Sequence, residues 1–328
     1  MAVSFFVPSR SEAAGGIGTV YAAGLARGLR ADGVPATITA GGAVDFRAVP
    51  DDDLVIDGIL LPPLCSRLEE LASRRTVAVM HHVASRTSND RRSRAEVTES
   101  LRAMLPRLHR VIATSEQVAA DLVTDFGVAP ERVFAVCPGA DDLPRATPAP
   151  GGCQILSTGV LTRRKRHDFL LRALARLSDL DWTLTIAGEA TRDPAYAVEL
   201  AALILVLSLD NRVSLITDAS AERLEPIWQT TSVFALTTRW EGYAAGVAQA
   251  LRRGIPVMVT LEAGTLVSAG AGVLCPDDDE ATVSKVLRRL VFDGTLRNSM
   301  AEAAWNAGQA QPDWMTQARR FADVTGVR

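Results

Sequence analysis

Lysine is nearly missing from this sequence: Lys165 and Lys285 stand against 33 arginines. A GC-rich, bacterial coding sequence accounts for that bias. Cysteine is also sparse. Cys65, Cys137, Cys153 and Cys275 lie far apart with no Cys-x-x-Cys pair, which argues against a disulfide framework or a zinc site and favours a reducing cytoplasm. Cys137 and Cys275 sit in apolar, strand-like runs and read as buried thiols. Long apolar runs are absent: the longest, around Ala201–Leu207, falls far short of the roughly 20 residues that span a bilayer. The N-terminus has no charged segment followed by an apolar stretch, so no secretory leader is expected. Any membrane association would be peripheral, at the inner face. An excess of positive charge is missing too. The net charge is −3; residues 1–146 hold 16 Lys+Arg against 18 Asp+Glu, and the remainder 19 against 20. Neither half has the charge of a dedicated nucleic-acid binder.

What is present is ordinary soluble-protein composition, 48% hydrophobic and 22% charged over 328 residues. That length suits two domains of about 150 residues each. Short apolar runs alternate with amphipathic segments. Strands are expected at 3–7, 36–40, 54–56, 76–80, 111–114 and 133–136, with helices at 19–31, 66–73, 93–107 and 116–126. Pro138-Gly139 then opens a stretch through Pro144, Pro148, Pro150, Gly151 and Gly152 that has turn formers and no periodicity, and it reads as a linker. Alternation restarts with strands at 153–158, 182–187, 212–216, 232–236, 256–260 and 272–275. Helices are expected at 167–177, 195–208, 220–229, 244–253, 279–292, 295–307 and 314–325. This pattern predicts an α/β protein of two doubly wound, Rossmann-like domains facing across a cleft. The expected partition is 1–145, 146–310 and a final helix, 311–328, returning to the first domain.

Four segments could carry chemistry. Gly15-Gly16-Ile17-Gly18, between the first strand and first helix, lets backbone approach an anion at a helix N-terminus. Tyr21 stands where a dinucleotide fingerprint needs another glycine, so that reading fails; a plain tight turn is the alternative. The run Thr158–His167 places Arg163, Arg164, Lys165 and Arg166 beyond a strand end, where ligands of open α/β sheets bind. A solvated basic turn or a nucleic-acid patch is the alternative here, but a lysine in an arginine-biased chain favours phosphate, which suits a compact point charge. Trp240–Ala250 brings Glu241 and small residues to a strand-to-helix turn, suited to sugar hydroxyls and phosphate, or to a merely capped helix. His81-His82 follows a strand of the first domain; a lone histidine is more often structural. The triplets Asp51-Asp52-Asp53 and Asp277-Asp278-Asp279 read as surface turns, and no metal site is expected.

In order and spacing, these segments resemble the retaining glycosyltransferases of family 4, which have the GT-B architecture. Val111-Ile112-Ala113-Thr114-Ser115-Glu116 resembles that family's strand ending in serine, and Val133–Asp141 its linker entry. Residues 157–167 resemble its phosphate loop, 238–250 its donor loop, and the helix from Trp314 to Phe321 its closing helix. The likeness covers nearly the whole chain. It implies that Gly16 and Gly18 line the cleft near donor phosphate and acceptor, and that His81 sits beside the transferred sugar. Arg164 and Lys165 would contact the diphosphate and Glu241 the sugar's hydroxyls. Gly242, Tyr243, Ala244, Ala245 and Gly246 would hold phosphate through their backbone, and Gln249 would meet the ribose. Three positions depart from the family pattern. Val160 replaces a common arginine, Ala244 a glycine, and Gln249 a glutamate.

The resemblance implies hexose transfer from a UDP or GDP sugar to an unidentified acceptor hydroxyl, on a glycan, a lipid-linked molecule or a small molecule. Anomeric configuration would be retained, with neither metal nor other cofactor. Two other classes stay open: a sugar-nucleotide-binding homologue without transferase activity, and a sugar-nucleotide epimerase.

Overall fold

A computed structural model describes residues 2–9, 17–41, 48–49, 53–82, 91–148, 151–218, 220–260 and 266–327, without the side chains of 91–93. Gly15, Gly16, Asp51 and Asp52 lie outside the described residues. The chain divides into two compact units, Met1–Asp141 with Pro312–Arg328, and Asp142–Gln311.

In the first unit, β1 (Val3–Val7), β2 (Ala36–Ala40), β3 (Asp53–Asp57), β4 (Thr76–Met80), β5 (Arg110–Ala113) and β6 (Val133–Ala135) form one sheet in the order β2-β1-β3-β4-β5-β6. All its pairings are parallel. Every residue of β1, β3 and β4 is buried. Near-continuous apolar runs of this kind mark strands covered on both faces. Helices α1 (Ile17–Ala31), α2 (Leu68–Ala72), α3 (Arg91–Met104), α4 (Glu116–Phe126) and α11 (Trp314–Thr325) belong to this unit. α11 buries Trp314, Gln317, Ala318, Phe321 and Thr325, a helical spacing that gives one apolar stripe. The Phe321 ring lies 5.9 Å from that of Phe5, tilted by 32°. Arg75 donates to the Thr325 carbonyl at 2.8 Å, satisfying one of the acceptors a helix end leaves over.

Two expectations fail here. Asp53 does not lie in a surface turn: it opens β3, is 3% exposed, and pairs with Arg75 at 3.1 Å. Cys137 falls beyond the end of β6 and is only half-buried, although burial still raises its thiol pKa.

The second unit repeats the scheme. Its strands β7 (Cys153–Thr158), β8 (Trp182–Ala187), β9 (Val213–Ile216), β10 (Val233–Leu236), β11 (Val257–Thr260) and β12 (Gly272–Cys275) are ordered β12-β11-β10-β7-β8-β9 and are again parallel. They carry α5 (His167–Ala175), α6 (Pro194–Val206), α7 (Ala221–Thr230), α8 (Ala245–Arg252), α9 (Glu280–Phe292) and α10 (Gly294–Gln309). Trp182 is 1% exposed, and its indole N–H donates to Leu177 at 2.8 Å. Asp279, the last of the second acidic triplet, caps α9 by accepting from the backbone N–H of Thr282 at 2.9 Å. No described helix is long and apolar enough to cross a membrane.

His167, at the start of α5, is fully buried, and neither ring nitrogen has a hydrogen-bond partner among the described residues. Burial, reinforced by the nearby Lys165 charge, holds its pKa down to about 3. Unfolding restores a value near 6.5, so between those limits the unfolded chain binds the extra proton. Stability therefore falls as pH drops through that window, by about 1.4 kcal/mol per pH unit. His167→Leu removes both the titration and an unsatisfied polar group. In urea unfolding the variant should exceed wild type by about 1–3 kcal/mol at pH 7. The gap should widen by about 2–3 kcal/mol at pH 4.5. An equal gap at both pH values would show that His167 does not titrate on unfolding.

Candidate functional site

Both sheets grow outward in two directions from an interior strand, which creates a switch point where the connections diverge and a crevice opens at the strands' carboxyl ends. In the second unit it falls between β7 and β10. β7 ends at Thr158 and runs into Gly159, whose φ is +146°. An added Cβ there would lie 3.0 Å from Lys165 Nζ, so the residue must be glycine both for its backbone angle and for the lysine beside it. The chain then makes a single 3₁₀ turn over Arg163–Lys165. The segment leaving β10 grips that turn. Arg239 N–H donates to the Arg164 carbonyl at 3.0 Å, and the Thr237 hydroxyl donates to the Arg166 carbonyl at 2.9 Å.

This clamp brings together side chains 76 residues apart in sequence. Lys165 Nζ donates directly to Glu241 Oε1, and Arg164 Nη1 lies 3.4 Å from the same oxygen. Arg164 also donates to the Trp240 carbonyl. The lysine and glutamate side chains are 11% and 10% exposed, the Arg164 side chain 26%. Burial lowers the Lys165 pKa below the ordinary lysine range, with Arg164 adding to that effect and Glu241 opposing it. Burial alone would raise Glu241, but the charges of Lys165 and Arg164 outweigh it and hold the carboxyl below its usual range. A second feature lies three residues on. Helix α8 begins after Ala244, which offers no side-chain cap, whereas Ser115, Asp193, Ser220, Asp279, Asp293 and Asp313 each cap their own helices. The first N–H groups of α8 therefore lack the side-chain acceptor that those other helices carry, the arrangement found where helix ends receive anions. Gly242 and Ala244 are buried, Tyr243 and Gly246 half-buried, and Ala245 and Gln249 exposed.

In the first unit the switch point falls between β1 and β3. Gly18, in the first turn of α1, comes against the end of β3. An added Cβ would sit 2.1 Å from Asp57 Oδ2 and 3.6 Å from His81 Nε2. His81 follows β4, is 5% exposed, and places Nε2 3.3 Å from Asp57 Oδ2. Its ring meets that of Tyr21 edge-on at 5.3 Å, and Tyr21 is fixed by its hydroxyl donating to the Val136 carbonyl at 2.8 Å. The structure thus gathers Gly18 with His81, and Arg164 with Lys165 and Glu241; Gly16 lies outside the described residues. Sequence reasoning missed Asp57. Its signal was available: a carboxylate directly after the apolar run Leu54–Ile56, at the ligand-binding end of a parallel sheet.

Two doubly wound parallel sheets, each with polar side chains collected at its switch point, define the GT-B class of glycosyltransferase fold. Residues 152–293 match the model for glycosyl transferases group 1, and residues 53–142 match that for glycosyltransferase family 4. The chain thus carries a glycosyltransferase family 4 domain in its first half and a glycosyl transferases group 1 domain in its second.

Among curated proteins, a D-inositol 3-phosphate glycosyltransferase from Catenulispora acidiphila is 29% identical over 58% of this chain and 51% of its own length. One from Salinispora arenicola is 26% identical over 60% of this chain and 50% of its own. The chain thus spans about half the length of these relatives. In fold it is similar to a sucrose-phosphate synthase from Thermosynechococcus elongatus, with a TM-score of 0.84 and 15% identity over 99% of this chain and 98% of that one. It is also similar to HepE from Anabaena, solved with UDP-glucose, with a TM-score of 0.81 and 16% identity over 99% and 100%.

Proposed function

We propose that this protein transfers a hexose-type sugar from a nucleoside diphosphate sugar to an acceptor hydroxyl, with retention of configuration and without a metal. The observation that carries the reading is the convergence of Lys165, Arg164 and Glu241 at a switch point beside the uncapped start of α8. Two cations and a row of backbone N–H groups suit a diphosphate, and fixed positive charge does what a divalent ion otherwise does for a leaving phosphate. Arg164 supplies a second cation in a loop that has Val160 where the family commonly has arginine. Glu241, engaged by both cations, acts as an acceptor for sugar hydroxyls, not as a free base. The departing phosphate takes the acceptor's proton, so the sugar is attacked on the face it leaves from. His81 holds a further hydroxyl of the transferred sugar.

UDP-glucose is the first donor to try, since a similar fold is seen with it; D-inositol 3-phosphate, named for the curated relatives, is the first acceptor. The test is a thermal-shift screen with UDP, GDP and their sugars, because a ligand of the native state raises apparent stability. NMR of the products follows, with and without EDTA. A new glycoside with the donor's anomeric configuration is expected in both. No binding and no transfer would overturn the proposal. Binding without turnover would mark a sugar-nucleotide-binding protein, an isomerised donor an epimerase, and rescue of EDTA-treated protein by Mg²⁺ a metal-dependent enzyme.

Gln249 offers a narrower check. An amide accepts a ribose hydroxyl through one neutral oxygen, whereas a carboxylate accepts with charge-assisted bonds. Gln249→Glu should tighten donor binding by about 1 kcal/mol, several-fold by calorimetry. Weaker binding would place Gln249 away from the ribose.

A further inference from the structure

Two described residues other than glycine have a positive φ, Arg166 at +55° and Ser208 at +56°. Ser208 follows the end of α6, where a left-handed residue is a common way to stop a helix. Arg166 does the reverse. It stands directly before α5 and directly after the 3₁₀ turn Arg163–Lys165. A helix start ordinarily takes an extended residue, as at Ser115 and Ser220. A residue with a Cβ enters the left-handed region only at a cost, and arginine is by preference a helix former. With a right-handed Arg166 the turn and α5 would run on as one helix, and the Phe169 N–H would bond the Lys165 carbonyl four residues back. In the structure that N–H bonds the Arg166 carbonyl instead, at 3.0 Å. The Lys165 carbonyl is left 3.3 Å from the Thr237 hydroxyl, which donates to the Arg166 carbonyl at 2.9 Å. The Arg166 side chain secures the break. Its guanidinium lies 4.1 Å from the centre of the Phe169 ring and donates to the Asp277 carbonyl, in the loop between β12 and α9.

We infer that Arg166 is a positioning residue: its left-handed backbone breaks the chain between the 3₁₀ turn and α5, and that break aims the Lys165 ammonium at Glu241 and the ligand crevice. On a continuous helix Lys165 would turn with α5 and leave the Thr237 clamp. The role in binding rests on the diphosphate site proposed above, but Lys165 can be followed without any ligand. Lys165 and Lys285 are the chain's two lysines, and Lys285 is exposed on α9. Lysine labelled with carbon-13 at Cε therefore gives two side-chain signals, which Lys165→Ala assigns. Burial, aided by Arg164 and opposed by Glu241, holds Lys165 below the ordinary lysine range, and His167 beside it is uncharged at neutral pH.

Arg166→Gly and Arg166→Ala differ by one methyl group, and both lack the guanidinium. Glycine enters the left-handed region freely, whereas alanine resists it and is the strongest helix former. In Arg166→Gly, Lys165 should titrate as in wild type, and UDP affinity should stay within about threefold. In Arg166→Ala the Lys165 titration should move up into the ordinary lysine range. UDP affinity should fall about tenfold or more, toward the loss of a hydrogen bond to a charged group. Added to Lys165→Ala, Arg166→Ala should weaken binding no more than about twofold further, because one residue acts through the other. Calorimetry and the lysine spectra, taken below each variant's melting temperature, measure these effects. Wild-type titration and affinity in Arg166→Ala, with only a lowered melting temperature, would leave Arg166 a structural residue and overturn the inference. Equal losses of affinity in the two variants, or full additivity with Lys165→Ala, would overturn it too, since Arg166 would then act through its guanidinium or apart from Lys165. If wild type binds no nucleoside diphosphate, the donor reading fails instead, and the lysine titration still decides what Arg166 does to Lys165.

Discussion

Glu241→Ala should lower turnover by about two to four orders of magnitude, the loss of one or two charge-assisted hydrogen bonds made to sugar hydroxyls in the transition state. The same change should leave affinity for free UDP or GDP undiminished and can raise it. In the intact site Lys165 donates to Glu241, and Arg164 lies 3.4 Å from it, so the carboxylate competes with phosphate for both cations. Removing it frees them. The fold should suffer, because a buried lysine loses its partner, a change that typically destabilises by about 3–5 kcal/mol. Arg164 nearby adds repulsion, and the Lys165 pKa, already lowered by burial, should fall further. The variant's affinity for UDP should therefore decline at a lower alkaline pH than wild type's. Calorimetry at pH 7 and 9 with single-turnover kinetics distinguishes the outcomes. A parallel loss of UDP affinity and turnover at pH 7 would mean that Glu241 serves the nucleotide and not the sugar.

Much of this arrangement is legible in the sequence. The strand runs Val3–Val7 and Thr76–Met80 are apolar but for Ser4 and Thr76, a signature of doubly covered parallel strands, and each is buried at every position. The Thr158–His167 run declared itself by contrast, a lysine among arginines beyond a strand end. Pairwise geometry was not legible. Nothing in a linear sequence says that Lys165 meets Glu241, because that contact depends on the threonines after β10 gripping the 3₁₀ turn after β7. Asp57 was hidden for a related reason. Its neighbour His81 is 24 positions away, just past the end of an adjacent strand, and an acidic residue at the end of a strand looks like the start of a turn, which it also is. Asp53 misled in the opposite way: three aspartates in a row suggest solvent, while the last of them is buried against Arg75.

Lys165→Ala should weaken UDP or GDP binding about 10- to 150-fold, the 1.5–3 kcal/mol of a hydrogen bond to a charged group. Unlike Glu241→Ala, it removes a cation that the proposed ligand needs, so affinity falls together with kcat/KM. It also leaves Glu241 facing burial with Arg164 and the Thr238 hydroxyl alone of those partners to offset it. In wild type the Glu241 carboxyl is held below its unfolded value, so its contribution to stability is present above about pH 4.5 and is lost as pH falls through the lower folded pKa. In the variant that pKa rises and the contribution shrinks. The stability gap between the proteins should therefore be widest near pH 7 and should narrow in acid, which urea unfolding at pH 7, 5 and 4 would measure. Lys165→Arg is the sharper companion. It keeps the charge and follows the chain's own preference for arginine. The pocket nevertheless leaves the Lys165 side chain 11% exposed and packs its Cε beside Gly159, where an added Cβ would come within 2.8 Å. A planar guanidinium does not fit where a compact ammonium does. Lys165→Arg should bind UDP at least about tenfold more weakly than wild type, a shortfall of about 1.4 kcal/mol. Full rescue by arginine would show that charge alone suffices at this position and that the pocket around Gly159 does not select lysine.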